Sequence, residues 1–209
     1  MAKLPIAVFV SGSGTNLQSI IDHCEGGKIN VEVKVVVCNS PGAFAIERAK
    51  RHNIPVILED HKQYANREEH EAKIIERLEP FCPELLIFAG YMRLVTPAFI
   101  THFYNNKKNL PGIINIHPAL LPSFPGTHSY ESAFEYGVKI SGITVHFVDE
   151  GEDSGPVILQ ETFRRLNNDT LDKFRSRGLQ VEHDMYPLAI NLYANNKLEI
   201  RGRYVVIKE

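Results

Sequence analysis

Residues 8–18 read VFVSGSGTNLQ. An apolar run gives way to two glycines one residue apart, and these to the start of an amphipathic stretch. Strand, tight glycine turn and helix in that order are the opening half of a βαβ unit. The alternation continues outward along the chain. Short β-branched runs fall at 6–10, 33–38, 56–58, 85–88, 113–116, 143–148 and 157–163, with helical patterns at 16–23, 43–52, 66–78, 97–103, 129–136 and 170–194. The expected fold is α/β, a doubly wound, mostly parallel sheet with helices on both faces, Rossmann-like, in one domain over 1–209. The last helix is the most regular, because Leu171, Phe174, Gly178, Val181, Met185, Leu188 and Leu192 recur at spacings of three and four. Pro187 removes a backbone donor from it and predicts a kink just after Glu182 and His183. The tail KLEIRGRYVVIKE reads as a hairpin turning near Gly202.

Composition narrows the function classes. Hydrophobic residues make up 44% and charged residues 23%, which is ordinary for a globular protein. Twenty-three Lys and Arg against 25 Asp and Glu, with no long basic run, argue against a binder of nucleic-acid backbones. The N-terminal apolar stretch is too short for a membrane span and lacks a signal-peptide pattern, so no membrane partner and a cytoplasmic location are expected. Cys24, Cys38 and Cys82 form no CxxC pair and read as buried reduced thiols. His61 and His70 lie in polar surroundings and read as exposed.

The glycine turn admits two readings. Backbone N–H groups of Gly14, Thr15 and Asn16 at a helix N-terminus suit a phosphate; equally, Thr15 or Asn16 could simply cap the helix. A dinucleotide site is not indicated. Leu17 replaces the third glycine of that fingerprint, and the second strand ends VVVCNSPG without the acidic residue that binds a ribose.

The run GIINIHPALLPSFPG, 112–126, carries the second signal. Alternation puts Ile114 and Ile116 on one strand face and Asn115 and His117 on the other, at the end of the strand, where ligands of open parallel sheets lie. An Asn can donate to a developing oxyanion and a His can carry protons near neutral pH. Asp153, in the acidic loop DEGEDSGP, could hold the imidazole in one tautomer and favour its charged form. The three suit acyl transfer. With no GxSxG and no cysteine nearby, the acyl group would pass directly to an amine or to water. His117, His128, His146 and Asp153 show no metal-ligand spacing, and no metal is expected.

SGSGTNLQSIID, AGYMRLVTPAF, NIHPALLPSFPG, GITVHFVDEGEDSGPVILQ and EHDMYPLAI together resemble, in order, the segments of the phosphoribosylglycinamide formyltransferases, a folate-dependent formyltransferase family. The resemblance implies formyl transfer from 10-formyltetrahydrofolate, a co-substrate, to the amino group of glycinamide ribonucleotide in purine biosynthesis. It puts catalysis on Asn115, His117 and Asp153, and the substrate phosphate on Gly14, Thr15 and Asn16. Glu182 then meets the glycinamide end of the substrate. Folate contacts fall to Arg67, Met92, Arg93, Leu94, Val95 and Asn115, under a loop from Asp149 to Asp153. The partners implied are small molecules, for a monomer or homodimer.

Rival readings are a formyltetrahydrofolate deformylase, which normally carries an N-terminal regulatory domain, and a methionyl-tRNA formyltransferase, which would add a C-terminal tRNA-binding domain. A non-enzymatic phosphosugar sensor would not need Asn115, His117 and Asp153. Two departures from the family pattern stand out. Glu152 occupies a place where an apolar residue is expected, and Ser129 and Tyr130 follow His128 where relatives often show other polar residues.

Overall fold

Along β1 (Leu4–Val10) the side chains divide by parity, Ile6, Val8 and Val10 into one core and Ala7 and Phe9 into the other. A strand buried on both faces is the central strand of a covered sheet. The structure, a computed structural model, describes residues 2–209. β1 pairs in parallel with β2 (Val31–Cys38) and β4 (Leu85–Phe88), β2 with β3 (Val56–Leu58), and β4 with β5 (Ile113–His117). β6 (Ile140–Phe147) runs antiparallel to β5, and β7 (Val157–Arg164) antiparallel to β6. The order is β3-β2-β1-β4-β5-β6-β7, so six of the seven strands share one direction and only β6 opposes them. This is the expected doubly wound α/β fold. β8 (Leu198–Arg201) and β9 (Tyr204–Ile207) form the expected C-terminal hairpin.

Helices cover both faces. α1 (Thr15–Glu25), α2 (Phe44–Arg51), α5 (Ser129–Tyr136) and α6 (Leu171–Ala194) bury residues in the core that contains Val8 and Ile114; α3 (Arg67–Leu78) and α4 (Pro97–His102) bury theirs beside Phe9 and Phe88. α6 continues through Pro187. The carbonyl that Pro187 cannot bond is that of His183, four residues earlier, and the Ser19 hydroxyl of α1 donates to it at 2.7 Å. The proline thus becomes a tie between helices.

Two expectations need correcting. His70 is buried, 3% exposed, because its ring reaches back to the Glu59 carbonyl at 3.0 Å. Cys82 is exposed, while Cys24 and Cys38 are buried.

Candidate active site

The strand order reverses between β1 and β4, and the carboxyl ends of strands at such a reversal are where ligands of open α/β sheets bind. Register puts Phe9, Phe88 and Asn115 in one row across three strands. The two loops are stitched together by Ser11 N–H donating to the Gly90 carbonyl at 3.1 Å and Met92 N–H donating to the Ser11 hydroxyl at 2.9 Å.

In the glycine turn the carbonyls are committed and the amides are not. Gly12 O accepts from Ala45 N–H, Gly14 O from Gln18 N–H, and Ser13 O from Arg48 Nε at 2.9 Å. Among the described residues the N–H groups of 12–16 have no protein acceptor, which is what an anion site requires. Gly14, at φ 71°, is the N-cap, and no side chain caps the helix. The capping role considered for Thr15 and Asn16 is therefore not taken up. Thr15 is half-buried, and the Asn16 side chain turns inward to donate from Nδ2 to Glu182 Oε2 at 2.5 Å.

Asn115 and His117 share the face of β5 opposite Ile114 and Ile116. β6 runs back down from the level of His117, so the hairpin loop after it starts low, with Val148 N–H bonded to the Ile113 carbonyl. Residues 149–155 then fold up over the sheet. A Cβ on Gly155 would lie 1.8 Å from the Phe147 carbonyl, so only glycine permits this reversal. Asp149 shapes the loop, accepting from Gly151 N–H and the Ser154 hydroxyl. Asp153, at φ 50°, arrives with Oδ2 3.2 Å from His117 Nδ1 and bonded by Gly126 N–H at 2.8 Å, and with Oδ1 accepting from Asn115 Nδ2 at 3.4 Å. The trio expected from sequence is one contact cluster.

His146 joins it. It stands directly across from Asn115 in the β5–β6 ladder, its Nε2 3.3 Å from Asn115 Nδ2 and 3.6 Å from Asp153 Oδ1. Sequence reading considered this residue only as a metal ligand. Its pairing with Asn115 exists only in the register, and β6 also carries Ser141 and Thr144, so no break in an apolar pattern singles it out. His128 stays outside, with its side chain 77% exposed.

Burial pushes the His117 pKa below its usual value, and this outweighs Asp153, the Phe124 carbonyl bonded to Nε2 at 2.7 Å, and Glu152, all of which pull upward. Asp153 thus favours the charged imidazole, as expected, but desolvation is the larger effect, and the ring is neutral near pH 7. Burial also works to raise Asp153, but the His146 side chain, Gly126 N–H and the field of His117 prevail and hold it below the usual carboxylate range. Neutral base and fixed anion therefore sit in contact.

Of the expected folate residues, Arg67 and Arg93 line one polar cavity of about 410 Å³ with His61, Tyr64, Asn66 and His70. Met92 and Leu94, 66% and 55% exposed, project from the loop after β4, while Val95 packs partly into the core. A second cavity, about 460 Å³, lies by the loop that leads into β4 and holds none of the expected residues.

The formyl transferase family matches residues 4–190. The chain belongs to that family. As a formyl transferase it is 41% identical over 195 residues to the phosphoribosylglycinamide formyltransferase of Bacillus subtilis, covering 92% of this chain and 97% of that protein. It is 36% identical over 195 residues to the enzyme of the same name from Escherichia coli, covering 93% and 89%. The crystal structure of glycinamide ribonucleotide transformylase 1 from Symbiobacterium toebii superposes with a TM-score of 0.93 at 43% identity, covering all of this chain and 95% of that one.

Proposed function

We propose that this formyl transferase moves the formyl group of 10-formyltetrahydrofolate onto the amine of glycinamide ribonucleotide, a one-carbon step of purine biosynthesis; its relatives' names supply the formyl transfer and the acceptor. The observation that carries the reading is the contact cluster of Asn115, His117 and Asp153, at the end of a strand in register, through β4, with the one that runs into a glycine turn whose amides are free. One region offers proton transfer and oxyanion donation; the other offers a seat for a phosphate.

The amine nitrogen attacks the formyl carbon, and the carbonyl oxygen gains negative charge. Asn115 Nδ2 donates to that oxygen, exchanging its long contact with Asp153 for a shorter one. Neutral His117 accepts the proton released by the attacking nitrogen, and Asp153 stabilises the resulting imidazolium. As the bond from carbon to the folate N10 breaks, that proton passes to N10, directly or through water. Charge and atoms balance, and no enzyme-bound acyl group is needed.

The phosphate rests on the amides of Gly14, Thr15 and Asn16, and Glu182 faces the glycinamide end. Met92, Leu94 and Val95 wall the pterin, while Arg67 and Arg93 offer charge to the carboxylates of the folate tail. On this reading the whole chain is one domain, its N-terminal part holding the nucleotide and its C-terminal part completing the catalytic site. Among the described residues no helix is long and apolar enough to cross a membrane.

Purified protein mixed with 10-formyltetrahydrofolate should release tetrahydrofolate only when glycinamide ribonucleotide is present, with formylglycinamide ribonucleotide as co-product. Equal release without the nucleotide would make water the acceptor and the protein a deformylase. No release in either case would leave a binding protein.

A further inference from the structure

Ser129 and Tyr130, the segment that the sequence reading set apart from the family pattern, have a defined place in the fold. Tyr130, on α5, is 9% exposed and donates its hydroxyl to Glu182 Oε1 at 2.5 Å. The other carboxylate oxygen accepts from Asn16 Nδ2 at 2.5 Å. Glu182 is 5% exposed, so a carboxylate is held inside the protein by one donor from α1 and one from α5. The backbone has made room for the phenol. Gly178 lies one helical turn before Glu182 on the same face of α6, and a Cβ there would fall 2.3 Å from the Tyr130 hydroxyl. Asn16 Oδ1 is buried beside this pair with no partner, an acceptor held ready at the edge of the glycine turn.

We infer that Tyr130 is a positioning residue for nucleotide binding: its phenol aims Glu182 at a donor group of the substrate, within the small-residue gap that Gly178 leaves. The inference rests on the proposed reading of the site and adds to it a residue that touches no substrate. A carboxylate oxygen with one internal donor still has a lone pair for a second, so both oxygens of Glu182 can accept from a ligand while remaining fixed. The groups facing Glu182 are the Tyr130 phenol from α5, the Asn16 amide from α1 and the Tyr186 phenol on its own helix; Arg175 acts on Tyr130 and is paired with Glu131. Burial raises the Glu182 pKa, and the bonds from Tyr130 and Asn16 oppose that rise. Burial and the Glu182 charge drive the Tyr130 phenol far above its ordinary range, so it stays a donor.

Tyr130→Phe removes the donor and keeps the ring. The expected result is a KM for glycinamide ribonucleotide raised by about tenfold or more, the scale of a hydrogen bond to a charged group, with a much smaller fall in kcat and no change in KM for the folate. The pH profile gives a second readout. Loss of a donor to the anion raises the Glu182 pKa, so nucleotide KM in the variant should climb on acidification from a higher pH than in wild type. In a Glu182→Gln background the same change should add little, as expected for coupled residues. A variant that only melts earlier, with nucleotide KM and its pH profile unmoved, would overturn the inference. A wild-type protein with no activity toward the nucleotide would instead overturn the reading beneath it.

Discussion

The two halves of the candidate site are built of different material. At β5 and β6 the proposed chemistry lies in side chains held by a sheet: Asn115, His117 and His146 project from paired strands, and Asp153 is delivered by a loop folded onto them. At the end of β1 it lies in the backbone. There the carbonyls of residues 12–14 are occupied from the α2 side and within α1, and the amides remain. A side-chain site fails when one atom is removed, whereas a backbone site fails when its frame shifts. The two should therefore respond to mutation along different kinetic axes.

The largest effect belongs to the sheet-borne half. Asn115→Ala and His117→Ala should each lower turnover roughly 100-fold or more, the typical cost of an oxyanion donor or a positioned acid-base group. Glycinamide ribonucleotide binding, measured by calorimetry, should stay close to wild type. Near-normal turnover in either variant would erase the distinction between the halves.

A frame effect is best sought at Arg48. Its Nε holds the Ser13 carbonyl, its Nη1 reaches Gln18 Oε1 at 3.2 Å, and its guanidinium stacks over Phe44 at 5.0 Å. Gly14→Val is a poorer probe, because a Cβ there would lie 2.7 Å from that of Ala45 and would push α1 away from α2. Arg48→Met should raise nucleotide KM by about tenfold, through loss of one charge-assisted bond and one positive charge near the phosphate. Folate KM should not move, and kcat should change far less than in His117→Ala. A uniform loss in every parameter would show that Arg48 supports the fold and not the turn in particular.

The same contrast decides what the sequence could reveal. Asn115 and His117 were legible because two polar residues on one face of an Ile-rich strand break its pattern, and the strand's end marks where ligands lie. All seven strands were legible from β-branched runs, and α6 from its three-and-four spacing. His146 was not, because its partner is set by an antiparallel register that no local pattern encodes. The glycine turn stayed ambiguous for a related reason: amide availability depends on which distant groups take the carbonyls, and Ala45 and Arg48 are some thirty residues on. His70 was misread because a polar neighbourhood in sequence says nothing about the Glu59 carbonyl it meets in space.

The smallest effect sharpens the comparison by testing whether charge in one half is felt there and not in the other. Glu152 is exposed, and its carboxylate lies over Gly126, whose N–H holds Asp153; a Cβ on Gly126 would come 3.2 Å from Glu152 Oε1. Its field raises the His117 pKa, and it is the weakest of the influences on that ring. The sign follows from the charge: Glu152→Gln removes a negative neighbour, favours the imidazolium less, and lowers the His117 pKa further below its usual value. Exposure keeps the shift under about one unit, and salt should shrink it, since the Debye length is about 10 Å at 0.1 M. NMR titration of the His117 ring in wild type and Glu152→Gln at low and high salt measures it directly, and the limb of the rate profile that rises as the ring deprotonates should move to lower pH with it. Arg48→Met, acting on the backbone half, should leave that titration where it was. A ring that does not respond to Glu152, or that responds equally to Arg48, would mean that the two halves do not keep separate electrostatic control of catalysis and binding.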